Sequence, residues 1–146
     1  MSKVQMKNKM KLIDTKYFKG WEIIYSYVAD QNNIDNTPTD ETIIDNLNYT
    51  LQRLEEIREG YGKPIVISSG YRCDELNEKV GGVNDSKHKN GLGVDLKWDS
   101  DLVKYMIDNC SFDKLIREKS GNTKWIHVQF NKDISTERHL VYYIEK

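Results

Sequence analysis

The sequence predicts an α+β fold in which helices pack on one face of a mostly antiparallel sheet. Three observations carry that reading. Apolar residues recur at helical spacing early in the chain, short β-branched or alternating runs follow, and Lys119–Thr123 reads as a hairpin loop joining two of those runs.

Taken in order, residues 1–15 are polar and irregular, a loose arm or leading strand. From Tyr17 to Ala29 the residues Phe18, Trp21, Ile24, Tyr25 and Val28 recur three or four apart, which predicts an amphipathic helix. Gln31–Pro38 is a turn-rich connection. Thr39 is then a suitable N-cap, with Asp40 and Glu41 in the first turn. The helix it opens carries Ile43, Leu47, Leu51, Leu54 and Ile57 on one stripe and stops near Gly60 or Gly62.

Pro64–Ser69 predicts a buried strand, and Cys73–Val80 a short helix halted by Gly81 and Gly82. Gly91–Trp98 alternates, with Leu92, Val94 and Leu96 opposite Gly93, Asp95 and Lys97. Ser100 caps a helix that runs through Asn109. Phe112–Glu118 and Lys124–Phe130 are the hairpin strands, and Leu140–Ile144 adds an edge strand.

The chain of 146 residues and 17.1 kDa is expected to form one domain over residues 1–146. Only 38% of it is apolar, yet a domain this long buries roughly 68–70% of its unfolded surface, enough for a core. A net charge of −1 argues against a nucleic-acid binder, which would carry a basic stripe. Cys73 and Cys110 are too few for a disulfide scaffold; isolated thiols of a reducing compartment and a single disulfide both remain open. The basic N-terminal segment has no apolar run behind it, so neither a secretory signal nor a membrane span is expected. The expected protein is a monomer made in the cytoplasm; if its substrate lies outside, something else must deliver it.

The chemistry is concentrated in Ser86-Lys-His88-Lys-Asn-Gly91-Leu-Gly93-Val-Asp95 and in Trp125-Ile-His127. Two imidazoles and one carboxylate suit Zn²⁺ and leave a fourth position for water, the pattern of a catalytic site rather than a structural staple. Alternation places Ile126, Val128 and Phe130 on one face of the last hairpin strand, and Trp125, His127 and Gln129 on the other. With the apolar faces against the helices, Asp95 and His127 project from the open side of the sheet, and a Gly-containing loop folds His88 over them. Singly, each residue has a plainer role as a surface histidine, a turn former or a packing aromatic; only the joint pattern points to a site. His139, in a polar tail beside Arg138, stays outside it.

Further motifs extend the pattern. Ile67-Ser-Ser-Gly70-Tyr71-Arg72, Leu76-Asn77, Val80-Gly81-Gly82, Ser86-x-His88-x-x-Gly91-x-x-x-Asp95, Phe112-Asp113-x-Leu115-Ile116-x-Glu118 and Trp125-x-His127-Val128 follow one another in that order. This order resembles the D-Ala-D-Ala carboxypeptidase family of peptidoglycan peptidases, whose fold is shared with the amino-terminal signalling domain of hedgehog proteins. The resemblance covers about Phe18 to Phe130, and Ile34-Asp-Asn36-Thr-Pro38 is similar to the small, single-domain branch found in phages and prophages. It implies one zinc ion on His88, Asp95 and His127, with Glu118 as general base and Asp113 as the other candidate. It also implies Arg72 as the basic residue that grips a substrate carboxylate or the oxyanion. Ser86 is implied to order the metal loop or bind substrate, while Tyr71 and Trp125 are the further substrate-side candidates.

Gly93, Gln129 and Lys114 depart from the residues common at those positions. The implied substrate is a peptidoglycan stem or cross-link peptide, cut by a carboxypeptidase or an endopeptidase. The implied setting is a phage cell-wall lytic enzyme, released through a holin or carried in the virion. The rival reading is a zinc-containing binding module of the same fold, because fold alone does not guarantee chemistry.

Overall fold

The computed structural model describes residues 11–146; residues 1–10 of the expected arm lie outside the described residues. The rest of that arm is docked rather than loose. The Ile13 N–H donates to Asn48 Oδ1 (2.9 Å), Thr15 Oγ1 donates to Glu55 Oε2 (2.6 Å), and Leu12 and Ile13 pack against the core.

The helix expected over Tyr17–Ala29 is instead a 3-10 turn, Gly20–Ile23, followed by a short helix α1, Tyr27–Gln31. The reason is competition for backbone carbonyls. The Tyr71 N–H donates to Ile23 O (2.7 Å) and Asn36 Nδ2 donates to Ile24 O (2.9 Å), so two acceptors that would continue the helix are taken by distant partners. Ser26 then starts α1 as its N-cap, its side chain accepting from the Ala29 N–H. As a result Trp21, Tyr25 and Tyr27 face solvent rather than the core.

Helix α2, Glu41–Tyr61, follows its periodicity. Asp40 caps it instead of Thr39, accepting from Thr42 N and Ile43 N, and Gly62 ends it with a φ of 78°. Leu47, Leu51 and Leu54 are fully buried, each stabilising the fold by about 1.5–3 kcal/mol relative to exposure. A short helix α3, Asp74–Lys79, and one turn α4, Lys87–Asn90, precede helix α5, Ser100–Asn109. Asp99, not Ser100, caps α5, accepting from Asp101 N (3.0 Å) and Leu102 N (3.3 Å).

The strands are β1 Ile67–Ser69, β2 Gly93–Lys97, β3 Lys114–Ser120, β4 Thr123–Gln129 and β5 Leu140–Glu145, in the spatial order β1-β2-β4-β3-β5. Every pairing is antiparallel except β3 with β5, which is parallel. The class is therefore α+β, as predicted. The expected hairpin loop shrinks to Gly121 and Asn122, because β3 and β4 pair as far as Ser120 and Thr123. Gly121 has a φ of 59°, the left-handed geometry that a two-residue hairpin asks of glycine at its first position.

Val94, Leu96, Leu115, Ile126 and Val128 form the buried face of the sheet and join the α2 leucines, Leu102, Met106 and three phenylalanines in the core. The connection from β4 to β5 is anchored from beneath. Arg53 of α2 donates twice to Glu137 (2.7 and 3.0 Å) and also to Ser111 O (2.8 Å). Cys73 and Cys110 are both free thiols. Among the described residues no helix is long and apolar enough to cross a membrane.

Candidate metal centre

Strand alternation leaves the second face of the sheet for polar work. Asp95 on β2 pairs across from His127 on β4, which pairs in turn with Ile116 on β3; two pairs further along, and so on the same face, Glu118 is opposite Trp125. Side chains at directly opposed positions share a face, so Asp95, His127, Trp125, Ile116 and Glu118 all stand on the open side. His88 arrives from above on α4. Ser86 caps that turn by accepting from the His88 N–H (3.2 Å). Asn46 Nδ2 holds Asn90 O (2.8 Å) and Thr50 Oγ1 holds Gly91 O (2.6 Å), tying the end of the turn to α2. Gly91 has a φ of 86° and lies against Ile43 and Leu47, where a side chain would be strained and crowded.

Asp95 Oδ1 lies 3.1 Å from His88 Nε2 and 3.0 Å from His127 Nδ1. The three candidate ligand atoms fall within 4.8 Å of one another. Both rings are tied at their other nitrogen: His88 Nδ1 meets Gly70 O at 2.7 Å, and His127 Nε2 meets Gln129 Oε1 at 3.0 Å. A carbonyl oxygen can only accept, so these contacts assign a proton to each tied nitrogen; a bound metal would replace any second proton and take the lone pairs of His88 Nε2 and His127 Nδ1, the atoms that face the carboxylate. That is the donor set of an open zinc site with its outer partners in place. Burial pushes the Asp95 carboxyl up, but hydrogen bonds and charge from the two imidazoles overcome it and hold Asp95 below its ordinary range. Burial pushes His127 down, but the Asp95 carboxylate and Gln129 overcome it and raise the imidazole above its ordinary value.

Glu118 Oε2 accepts from Trp125 Nε1 (2.7 Å), and Oε1 lies 3.7 Å from Lys146 Nζ. Its carboxylate is near enough to act electrostatically on both His127 and Arg72. Asp113, the other candidate base, is already engaged. Arg138 donates to both of its oxygens (2.9 and 2.8 Å), and Gln129 and Asn131 donate as well (3.4 and 3.3 Å). The Arg138 contact brings the Asp113 carboxyl down to about 2, against the opposing effect of burial.

Arg72 lines the cleft, and its buried Nε has no hydrogen-bond partner among the described residues. Burial lowers its pKa, against the charges of Asp95 and Glu118. Gly82 fits tightly beside it, since a Cβ there would meet the Asn77 side chain and stand 2.9 Å from Arg72 Nη1. Ser86 and Trp125 also line the cleft, which has a volume of about 1200 Å³ and is lined in addition by Tyr27, Val83 and Ile144.

Tyr71, expected to touch substrate, is placed differently. Its ring is buried in the core, while its backbone binds Ile23 and Asn36. Sequence reasoning placed Gln129 on the strand face of His127 and noted it as a departure, but gave it no role in the site; its position two residues beyond His127 was the available signal. His139 stacks on Phe112, away from the centre, with ring centroids 4.1 Å apart.

No curated protein matches this chain. The family model described as Peptidase M15 matches residues 16–129, and the chain belongs to that family of zinc-dependent metallopeptidases.

Proposed function

We propose that this protein is a zinc peptidase that hydrolyses a peptide bond in peptidoglycan stem or cross-link peptides, as a D,D-carboxypeptidase or an endopeptidase. The observation that carries the reading is the convergence of His88 Nε2, Asp95 Oδ1 and His127 Nδ1, with each imidazole held at its other nitrogen by a carbonyl oxygen that can only accept. Those three residues would hold the ion. When bound at such a site, zinc polarises a carbonyl and lowers the pKa of a coordinated water to roughly 7.

The remaining roles fall to the chain itself. Glu118 takes the proton of the attacking water and returns it to the leaving amine. Trp125 fixes one carboxylate oxygen for that task, leaving the other free of a direct hydrogen bond. Arg72 presents an unengaged guanidinium edge that binds the negative charge of the substrate, whether a terminal carboxylate or the developing oxyanion. Asp113 serves structure, because every donor around it already claims its oxygens. The similarity of the segment Ile34–Pro38 to phage and prophage members supports a role in phage lysis of the wall, reached by holin release or within the virion.

The test is digestion of purified peptidoglycan from several wall types, with the fragments read by mass spectrometry. New fragments that disappear on chelation establish the peptidase, and their masses identify the bond. A chain that binds zinc but releases no fragment from any wall overturns this reading in favour of a binding module of this fold or a substrate outside the wall.

A further inference from the structure

His127 can ligate through Nδ1 only if its proton sits on Nε2, and the atom facing Nε2 decides this. We propose that Gln129 is the positioning residue that holds His127 in its metal-ready tautomer, and that Asp113 and Arg138 hold Gln129 in the orientation required. The inference rests on the metal-site reading above.

The Gln129 side chain could in principle face His127 with either end of its amide, because the two ends have the same shape. Presented as Oε1, at the observed 3.0 Å, it accepts a proton from Nε2 and leaves Nδ1 free toward Asp95. Presented as the NH₂ group, it would donate to Nε2, move the proton to Nδ1 and remove His127 from the ligand set.

The far end of the amide settles the choice. It lies 3.4 Å from Asp113 Oδ2, and an ionised carboxylate can only accept, so the NH₂ group must point there. Asp113 is in turn fixed by the two-pronged grip of Arg138 at 2.9 and 2.8 Å and by Asn131 at 3.3 Å. Gln129 and Asp113 are 7% and 3% exposed, so bulk water cannot easily replace either contact. Orientation therefore passes from Arg138 to Asp113, to Gln129 and to His127.

His88 needs no such chain, since the backbone carbonyl of Gly70 orients it directly. The family match ends at residue 129, so Asn131 and Arg138 lie beyond it. The segment between β4 and β5 thus completes the metal centre of this protein from outside the matched region.

The experiment compares the full-length wild type with Gln129→Met, which keeps length but cannot accept the proton. Zinc affinity is measured by competition with a chromophoric chelator. The protonated nitrogen of His127 is read by NMR on the zinc-loaded, ¹⁵N-histidine-labelled protein. The wild type should show an Nε2–H resonance protected from solvent exchange. Gln129→Met should lose that protection and about 10–100-fold in zinc affinity, the usual cost of removing an outer partner of a metal-bound histidine. A wild-type His127 protonated at Nδ1, or a variant that binds zinc as tightly as wild type, overturns the inference and leaves the peptidase reading standing. Should Gln129→Met not fold, Arg138→Met, at an exposed side chain, is the second variant: it should weaken zinc binding and the protection of Nε2–H, and wild-type values for both overturn the inference. A wild type that takes up no zinc overturns the metal-site reading itself, and this inference with it.

Discussion

Replacing Glu118 by glutamine separates proton transfer from everything else this carboxylate does. The amide keeps the length of the side chain and an oxygen that can accept from Trp125 Nε1 at 2.7 Å. The other loss is the contact at 3.7 Å with Lys146, whose side chain is 61% exposed against 14% for Glu118; with its cation in solvent and no direct hydrogen bond, the pair contributes about 1 kcal/mol. His88, Asp95 and His127 are unchanged, so zinc binding should be retained. What disappears is the proton acceptor. A positioned base contributes about 10²–10⁴-fold, equivalent to about 3–5 kcal/mol of barrier at 1.36 kcal/mol per tenfold. The assay is the rate of fragment release from peptidoglycan under saturating zinc, with metal content measured on the same samples. The expected result is a fall in kcat of at least about 100-fold with zinc retained. Activity within tenfold of wild type would refute the assignment of Glu118, and a loss that tracks lost zinc would refute the separation of roles.

Two further predictions concern the frame behind the site. Arg53→Met leaves Glu137, whose side chain is 2% exposed, without its cation; denaturant unfolding should show a loss of about 3–5 kcal/mol, the usual cost of breaking a buried ion pair from one side. Asp113 has a folded-state pKa of about 2 against an ordinary 3.8, so its contribution to stability is present above the ordinary value and lost as pH falls through the folded one. Arg138→Met should therefore be less stable than wild type near neutrality, and the gap in chemical-denaturation midpoint should close as pH falls from about 4 to about 2. A gap independent of pH would show that the Asp113–Arg138 pair is not its source.

Much of the site was legible because a strand has period two. Once Val94, Leu96, Ile126 and Val128 are taken as the core face, Asp95 and His127 must share the other, and the register does place them directly opposite. Helix α2 was legible for the same reason at period 3.6, its leucines being fully buried. The failures have a common cause in partners distant along the sequence. The Tyr17–Ala29 periodicity is genuine, yet Tyr71 and Asn36 take the carbonyls that a continuous helix would need. Tyr71 itself follows the glycine that packs against Ile23, and its ring turns into the core. The parallel pairing of β5 with β3 and the grip of Arg138 on Asp113 both depend on a return path that no local pattern encodes. Gln129 lay between these cases, since alternation put it beside His127 while its partner Asp113 required the register of β3 against β4.

The central claim is that His88, Asp95 and His127 form one metal site, and native mass spectrometry after zinc loading tests it most directly. Wild type should carry one tightly held zinc per chain, and Asp95→Asn, which removes the carboxylate shared by both imidazoles, should carry none at the same free zinc concentration. A wild-type chain that takes up no zinc, or an Asp95→Asn chain that holds it undiminished, would contradict the account.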